Sequence, residues 1–201
     1  MEPDEDPLVM TIVVRRRTSR PFAELAVATA LVTRRCADRY RTDERWAQCF
    51  GDWWRDSFRK VCLRAEPRDW EDVRALDHER VGDVACLPPR HRSQRERVLV
   101  RMQALGGEAE GLPPLSPLQS GELLLVVNTS LPMSAGKTLA QIGHGALMVP
   151  LEGDTLGIRV CGAEGRAWED ACSEAVSVVR DGGLTEVPRG SETVAVLAQR
   201  P

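Results

Sequence analysis

Lys137 is one of two lysines in a 201-residue chain that carries 25 arginines, and its place in the sequence suits it to handle negative charge. The apolar run from residue 123 to residue 127 reads as a buried strand, and Ala135-Gly136-Lys137 opens a segment with helical spacing. A helix N-terminus has unpaired N–H groups and about half a positive charge, so an added lysine makes this corner a place where anions gather. Gln141 and His144 follow on the same helical face. Three readings fit the corner alone: a catalytic turn, an ordinary strand-turn-helix with a solvated lysine, or a phosphate-binding loop ending in Gly136-Lys137-Thr138. The last has Leu131 where its pattern requires glycine.

A second cluster of reactive side chains lies near the other end. Residues 178–197 read as strand, glycine turn, short loop and strand, carrying Asp181-Gly182-Gly183-Leu184-Thr185 and Gly190-Ser191-Glu192-Thr193-Val194. Together with the segment MSAGKTLAQIGH that starts at Met133, this resembles the type II peptidyl-tRNA hydrolase family. The family pattern runs strand, M-x-x-G-K-x-x-A-Q-x-x-H, then D-x-G-x-T and G-x-x-T-V, and every fixed letter is met within residues 122–201.

The resemblance implies an α/β fold, a mixed β-sheet flanked by helices. It also implies metal-independent hydrolysis, with no cofactor, of the ester joining a peptidyl or N-blocked aminoacyl group to the terminal ribose of tRNA. Such cleavage needs a positioned water, removal of its proton and stabilisation of the oxyanion. By the resemblance, Lys137 with the helix N-terminus stabilises an oxyanion or phosphate, and Asp181 orients or deprotonates water. Thr185 and Thr193 hold that water or the substrate. Met133, Gly136, Gln141, His144 and Glu186 fall around them as residues that bind substrate or support the catalytic ones.

Departures from the family pattern leave the site less positive. Leu184 and Glu186 stand where a basic residue and a glutamine are frequent, and Ser134-Ala135 where glycine and lysine are common. Residues 121–201 hold six basic and ten acidic side chains, whereas residues 1–120 are net +1. Phosphate contacts dominate affinity for nucleic acid, so an acidic catalytic half is a poor tRNA surface by itself. The arginines at 15–20, 34–41 and 90–101 are the expected electrostatic footprint or, equally, ordinary solvated faces. Two other functions stay open: a repurposed hydrolase or cyclase acting on a small acyl ester in specialised metabolism, and a non-catalytic module that binds a protein through a tryptophan-rich helix.

The elements that must position these residues follow from periodicity and punctuation. Strands are expected at 8–14, 60–65, 81–87, 123–127 and 158–162, with two more around the D-x-G-x-T turn. Helices are expected from Pro21 to about residue 37, and at 43–58, 67–76, 90–105 and 167–174, besides the one opened by Lys137. The spacing of Trp46, Phe50 and Trp53 makes a stripe that reads as core or interface. Residues 104–121, rich in glycine, proline and serine, form a linker between a half at 1–103 and a catalytic domain at 122–201.

An internal echo joins those halves. Lys60-Val61-Cys62 with Trp70-Glu71-Asp72 parallels Arg159-Val160-Cys161 with Trp168-Glu169-Asp170, and the first strands align at a different offset. The N-terminal half reads as a degenerate copy, with Ala23-Glu24 near the place of Gly136-Lys137. It is expected to pair with the catalytic half as an internal pseudo-dimer, leaving a monomer or a homodimer. Six cysteines without C-x-x-C or metal-ligand spacing read as buried thiols in a reducing compartment. The N-terminus lacks a signal-peptide pattern, and no apolar run suggests a membrane span; a cytoplasmic location is expected.

Overall fold

Two apolar strands that point their side chains to both faces set the architecture. The structure, a computed structural model, describes residues 6–150 and 157–198. In β1 (Leu8–Arg15), Met10, Ile12 and Val14 face one way and Val13 the other, and all four are buried. β6 (Glu122–Asn128) repeats this, with Leu123, Leu125 and Val127 on one face and Leu124 and Val126 on the other. Each is central to a mixed sheet, which accounts for its nearly continuous hydrophobicity.

The first sheet has the order β3 (Glu79–Val81), β4 (Val84–His91), β1, β2 (Arg59–Ala65), β5 (Gln103–Ala104), and the second the order β7 (Gly157–Ala163), β6, β9 (Glu192–Ala198), β8 (Ser177–Arg180). β1 is followed by α1 (Phe22–Tyr40), α2 (Ala47–Asp52), β2, α3 (Pro67–Arg74) and the β3/β4 hairpin. α4 (Arg97–Arg101) and β5 close that half. β6 leads into α5 (Ala135–Gly145), β7, α6 (Gly165–Glu174), β8 and β9.

Disregarding α2, α4 and β5, the two sheets share one connectivity. Val9 pairs with Arg59 as Glu122 pairs with Gly157, and Arg15 pairs with Ala65 as Asn128 pairs with Ala163. Val81 opposes Val84 as Val179 opposes Val194. The halves differ mainly in two connections. Gly82-Asp83 joins β3 to β4, whereas residues 181–191 join β8 to β9, and an aromatic segment after α2 has no counterpart after α5.

α1 and α5 lie between the sheets in one shared core; α1 packs on β7 and α5 on β2. The outer face of the first sheet is covered by Trp70 and Val73 of α3 with Val98 and Leu99 of α4. That of the second is covered by Trp168 and Ala171 of α6, together with Leu115 and Leu118. The cysteines are unpaired, with Cys36, Cys62, Cys86 and Cys161 buried. Among the described residues no helix is long and apolar enough to cross a membrane.

Three elements depart from expectation. The strand at 81–87 is a hairpin turning at Gly82, and its second strand continues through Pro88 and Pro89 rather than stopping there. A register shift between Val9 and Thr11 of β1 lies opposite the prolines, and such an irregularity accommodates residues that cannot donate to a ladder. The basic helix at 90–105 is reduced to α4 and one 3₁₀ turn. Arg90 is instead buried in the sheet, ion-paired with Glu96 and with its guanidinium 4.8 Å from the centre of the Trp46 ring. The helix at 43–58 is α-helical only over Ala47–Asp52, then becomes a π turn ending at Phe58 with φ +47°. That break lets the Trp53 indole donate to Arg59 O at 2.8 Å. The aromatic stripe is core, with Trp46, Phe50 and Trp53 buried. Residues 150–157 read in the sequence as a short connection between His144 and the next strand, and most of them, 151–156, lie outside the described residues.

Candidate active site

α5 begins where Ser134, with extended backbone, caps it by accepting a hydrogen bond from Lys137 N at 3.2 Å. Lys137 and Gln141, one turn apart, face the 181–191 loop. The ends of that loop are fastened by Asp181 N donating to Ser191 O and by Gly190 N donating to Asp181 O, at 2.9 and 2.7 Å. Gly183, at φ +71°, turns the chain so that its N–H donates to Asp181 Oδ1 at 2.8 Å. A Cβ at Gly183 would stand 2.7 Å from Arg189 N, so glycine is required for space as well as for conformation.

The two motifs meet in one hydrogen-bonded chain. Lys137 Nζ donates to Asp181 Oδ2 and, at 2.9 Å, to Thr185 Oγ1. Gln141 Nε2 donates to the same Asp181 oxygen at 2.9 Å, and Gln141 Oε1 accepts from Thr193 Oγ1 at 2.8 Å. Thr193 is fully buried, Gln141 and Asp181 nearly so, while Thr185 is exposed. The inner part, Thr193-Gln141-Asp181, is therefore a closed brace, and the outer part, Lys137-Thr185, meets solvent. An ammonium has three donors and two are used here, leaving one for a ligand oxygen.

The N-terminus of α5 is less open than expected. Its first amide, Ala135 N, donates to Gly107 O of the linker at 2.8 Å, and the Leu105 carbonyl lies where a Cβ on Gly136 would be. Gly136 is thus the residue that admits the linker. Glu186 accepts from Ser134 N and Oγ at 2.6 and 2.8 Å, placing a carboxylate at the same helix end. With these amides engaged, the Lys137 side chain is the anion-binding group best presented to a substrate. Met133 lines a neighbouring cavity.

His144 turns from Asp181 toward the N-terminal half. Its Nδ1 lies 3.0 Å from Lys60 Nζ, and its ring packs 5.0 Å from that of Phe58. Lys60 Nζ is 3.9 Å from the centre of the Phe58 ring and 4.6 Å from that of Trp53, a geometry that favours an ammonium. Burial holds Lys60 well below its usual range. It does the same for His144, with the charges of Lys60 and Lys137 adding to the effect. A neutral His144 accepts from Lys60 on Nδ1 and carries its proton on Nε2.

This has a consequence for stability. Below about pH 6.5 the unfolded chain protonates His144 and the folded chain does not, so stability falls with acidification through that range. Denaturation between pH 5 and 7.5 is expected to show this slope, and His144→Gln to flatten it; an unchanged slope would contradict the burial of a neutral imidazole.

The arginine clusters are largely engaged. Arg34 is buried, donating to Ala146 O at 2.7 Å and Pro150 O at 2.9 Å, and thereby joins the halves. Arg16, Arg39 and Arg101 pair with Glu66, Glu79 and the Asp69/Asp72 pair, and Arg20 with Glu24. Of the expected footprint, Arg17, Arg35, Arg92, Arg95 and Arg97 form no ion pair among the described residues.

Three contributors were not anticipated: Lys60, the Ser134–Glu186 pair and the linker backbone at residues 105–107. The rarity of lysine, which drew attention to Lys137, applies equally to Lys60. Linker composition carries no comparable signal. The chain gives no match to any protein-family model, curated protein or solved structure, so the motifs and their geometry carry the functional argument.

Proposed function

We propose that the protein is a relative of the type II peptidyl-tRNA hydrolases and hydrolyses the ester that joins a peptidyl group to the terminal ribose of tRNA. The observation that carries this reading is the convergence of Lys137, Asp181 and Thr185 with Gln141 and Thr193, from two motifs some 40 to 50 residues apart. A water held by Thr185 and Asp181 attacks the ester carbonyl, and Lys137 donates to the oxyanion that forms. The proton lost by water passes to the departing ribose oxygen, giving the free peptide acid and tRNA. Asp181 keeps Lys137 aimed, and Gln141 with Thr193 keeps Asp181 aimed.

The N-terminal half is, in this reading, a degenerate copy. Glu24 occupies the position of Lys137 and Ala28 that of Gln141, judged by the common strand registers, and Glu24 is paired with Arg20 at 2.8 Å. The reciprocal packing of α1 on β7 and α5 on β2 supports an internal pseudo-dimer, since an isologous interface repeats each contact with roles exchanged.

A second reading, a small acyl ester as substrate, is favoured by the excess of acidic residues in the catalytic half and by Glu186 beside Ser134. Salt separates the two. Binding of tRNA is expected to weaken by at least tenfold between 50 and 200 mM salt, as it does when several phosphates are contacted. Absence of tRNA binding at low salt, together with salt-insensitive turnover of a small ester, would reject the tRNA reading.

A further inference from the structure

We propose that the cavity at the corner of β6 and α5 is an acyl subsite that holds a short peptidyl group through its free N-terminal ammonium; this rests on the ester-hydrolase reading of the neighbouring site. The cavity measures about 410 Å³ and lies between linker residues 107–112 and the loop from β6 to α5. That size is at the lower end of small-ligand pockets, about 300–1,000 Å³, and suits a dipeptidyl unit rather than a long chain.

Its walls are chemically divided. Val127, Leu112 and Leu131 supply an apolar surface for side chains. Thr138 also lines it; this residue is only 1% exposed, and its hydroxyl has no hydrogen-bond partner among the described residues. A buried hydroxyl facing a cavity without a partner is costly unless a ligand or water meets it, and a peptide bond offers both a donor and an acceptor.

Glu108 and Glu110 form the remaining wall. They are exposed, close enough to perturb one another, and neither is ion-paired among the described residues. The nearby Glu108 carboxyl, by favouring a proton shared between the two and by its charge, raises the Glu110 carboxyl above its usual range, as happens when two carboxyls meet without a cation between them. A peptide esterified at its C-terminus is a cation, with an ammonium and no carboxylate, and so complements this wall. Hydrolysis creates a carboxylate beside Asp181 and Glu186, which favours departure of the product.

The cavity is joined to the reacting groups through Ser134. That residue lines the cavity, caps the helix at Lys137 N and is held by Glu186, the neighbour of Thr185. Because the linker forms one side, the subsite belongs to the joined chain rather than to the catalytic half alone.

The test compares kcat/KM of the full-length protein on a dipeptidyl-tRNA with a free amine, its N-acetylated form and a hexapeptidyl-tRNA. The free-amine dipeptidyl substrate is expected to be preferred at least tenfold over both. The Glu108→Gln/Glu110→Gln double variant, altered at exposed positions, is expected to bring the free and acetylated substrates within about twofold of each other. Equal or better cleavage of the acetylated form by wild type, or an undiminished preference in the double variant, would overturn the proposal.

Calorimetric titration with glycyl-leucinamide, which keeps the ammonium and has no ester, reads the cavity independently of catalysis. Binding weakened at least tenfold by N-acetylation and by the double variant supports the subsite even if no ester is cleaved, in which case only the hydrolase reading fails. No binding to wild type would overturn the subsite.

Discussion

Asp181→Asn is expected to lower ester hydrolysis by a factor of about 10² to 10³ and to destabilise the fold by about 3–5 kcal/mol. The side chain keeps its shape, and Oδ1 can still accept from Gly183 N. What is lost is the charge beside Lys137, whose side chain is 11% exposed against 5% for Asp181. An ammonium left in that largely enclosed position without its carboxylate is a poorly compensated charge, and its proposed aim at the substrate is lost with its partner. Lys137→Met removes the proposed oxyanion donor itself and is expected to cost a similar factor in turnover. The double variant Asp181→Asn/Lys137→Met distinguishes the two effects. It is expected to recover much of the stability lost in Asp181→Asn and none of the activity. A double variant as unstable as the sum of its parents would show that the pair does not act as a unit.

Gly136→Ala is expected to destabilise the protein by about 1–3 kcal/mol, the usual range for overpacking, although alanine is the better helix former. The added methyl runs into the Leu105 carbonyl, a backbone atom that cannot swing aside as the end of a side chain would. Displacing it breaks the bond from Ala135 N to Gly107 O and opens the wall of the adjacent cavity. Faster protease cleavage within residues 105–121 and at least a tenfold fall in hydrolysis are the expected readings. A stable alanine variant with a protected linker would contradict the close approach.

Much of this arrangement is legible from local chemistry. β6 and α5 are marked by an apolar run and helical spacing, and each signal lies within a few residues of what it specifies. The correspondence of the first strands returns in the registers, but the echo of Lys60-Val61-Cys62 in Arg159-Val160-Cys161 is out of register by one. Ala65 corresponds to Ala163 and hence Cys62 to Val160, so Cys62 faces the shared core and Cys161 the outer layer. Where local reading fails, a distant partner decides. Pro88 and Pro89 normally end a strand, but the irregularity opposite them in β1 tolerates them. Arginine spacing after residue 90 suggests a helix, whereas Arg90 is drawn into the interior by Glu96 and Trp46, and Ser93 is tied to Asp6 at 2.8 Å. His144 reads as a neighbour of Gln141 on one helical face, and only the fold brings Lys60 to it from 84 residues away. The linker is the clearest case. Glycine and proline mark a connection, and nothing in that composition specifies a backbone carbonyl lodged against Gly136.

The hydrolase reading is tested by single-turnover release of peptide from a dipeptidyl-tRNA by the 201-residue chain, with Asp181→Asn beside it at low and moderate salt. Wild type is expected to release the free peptide acid, Asp181→Asn to release it at least 10² more slowly, and activity to weaken as salt rises. A well-folded wild-type protein that leaves the ester intact, or cleaves it no faster than the variant, would contradict that reading.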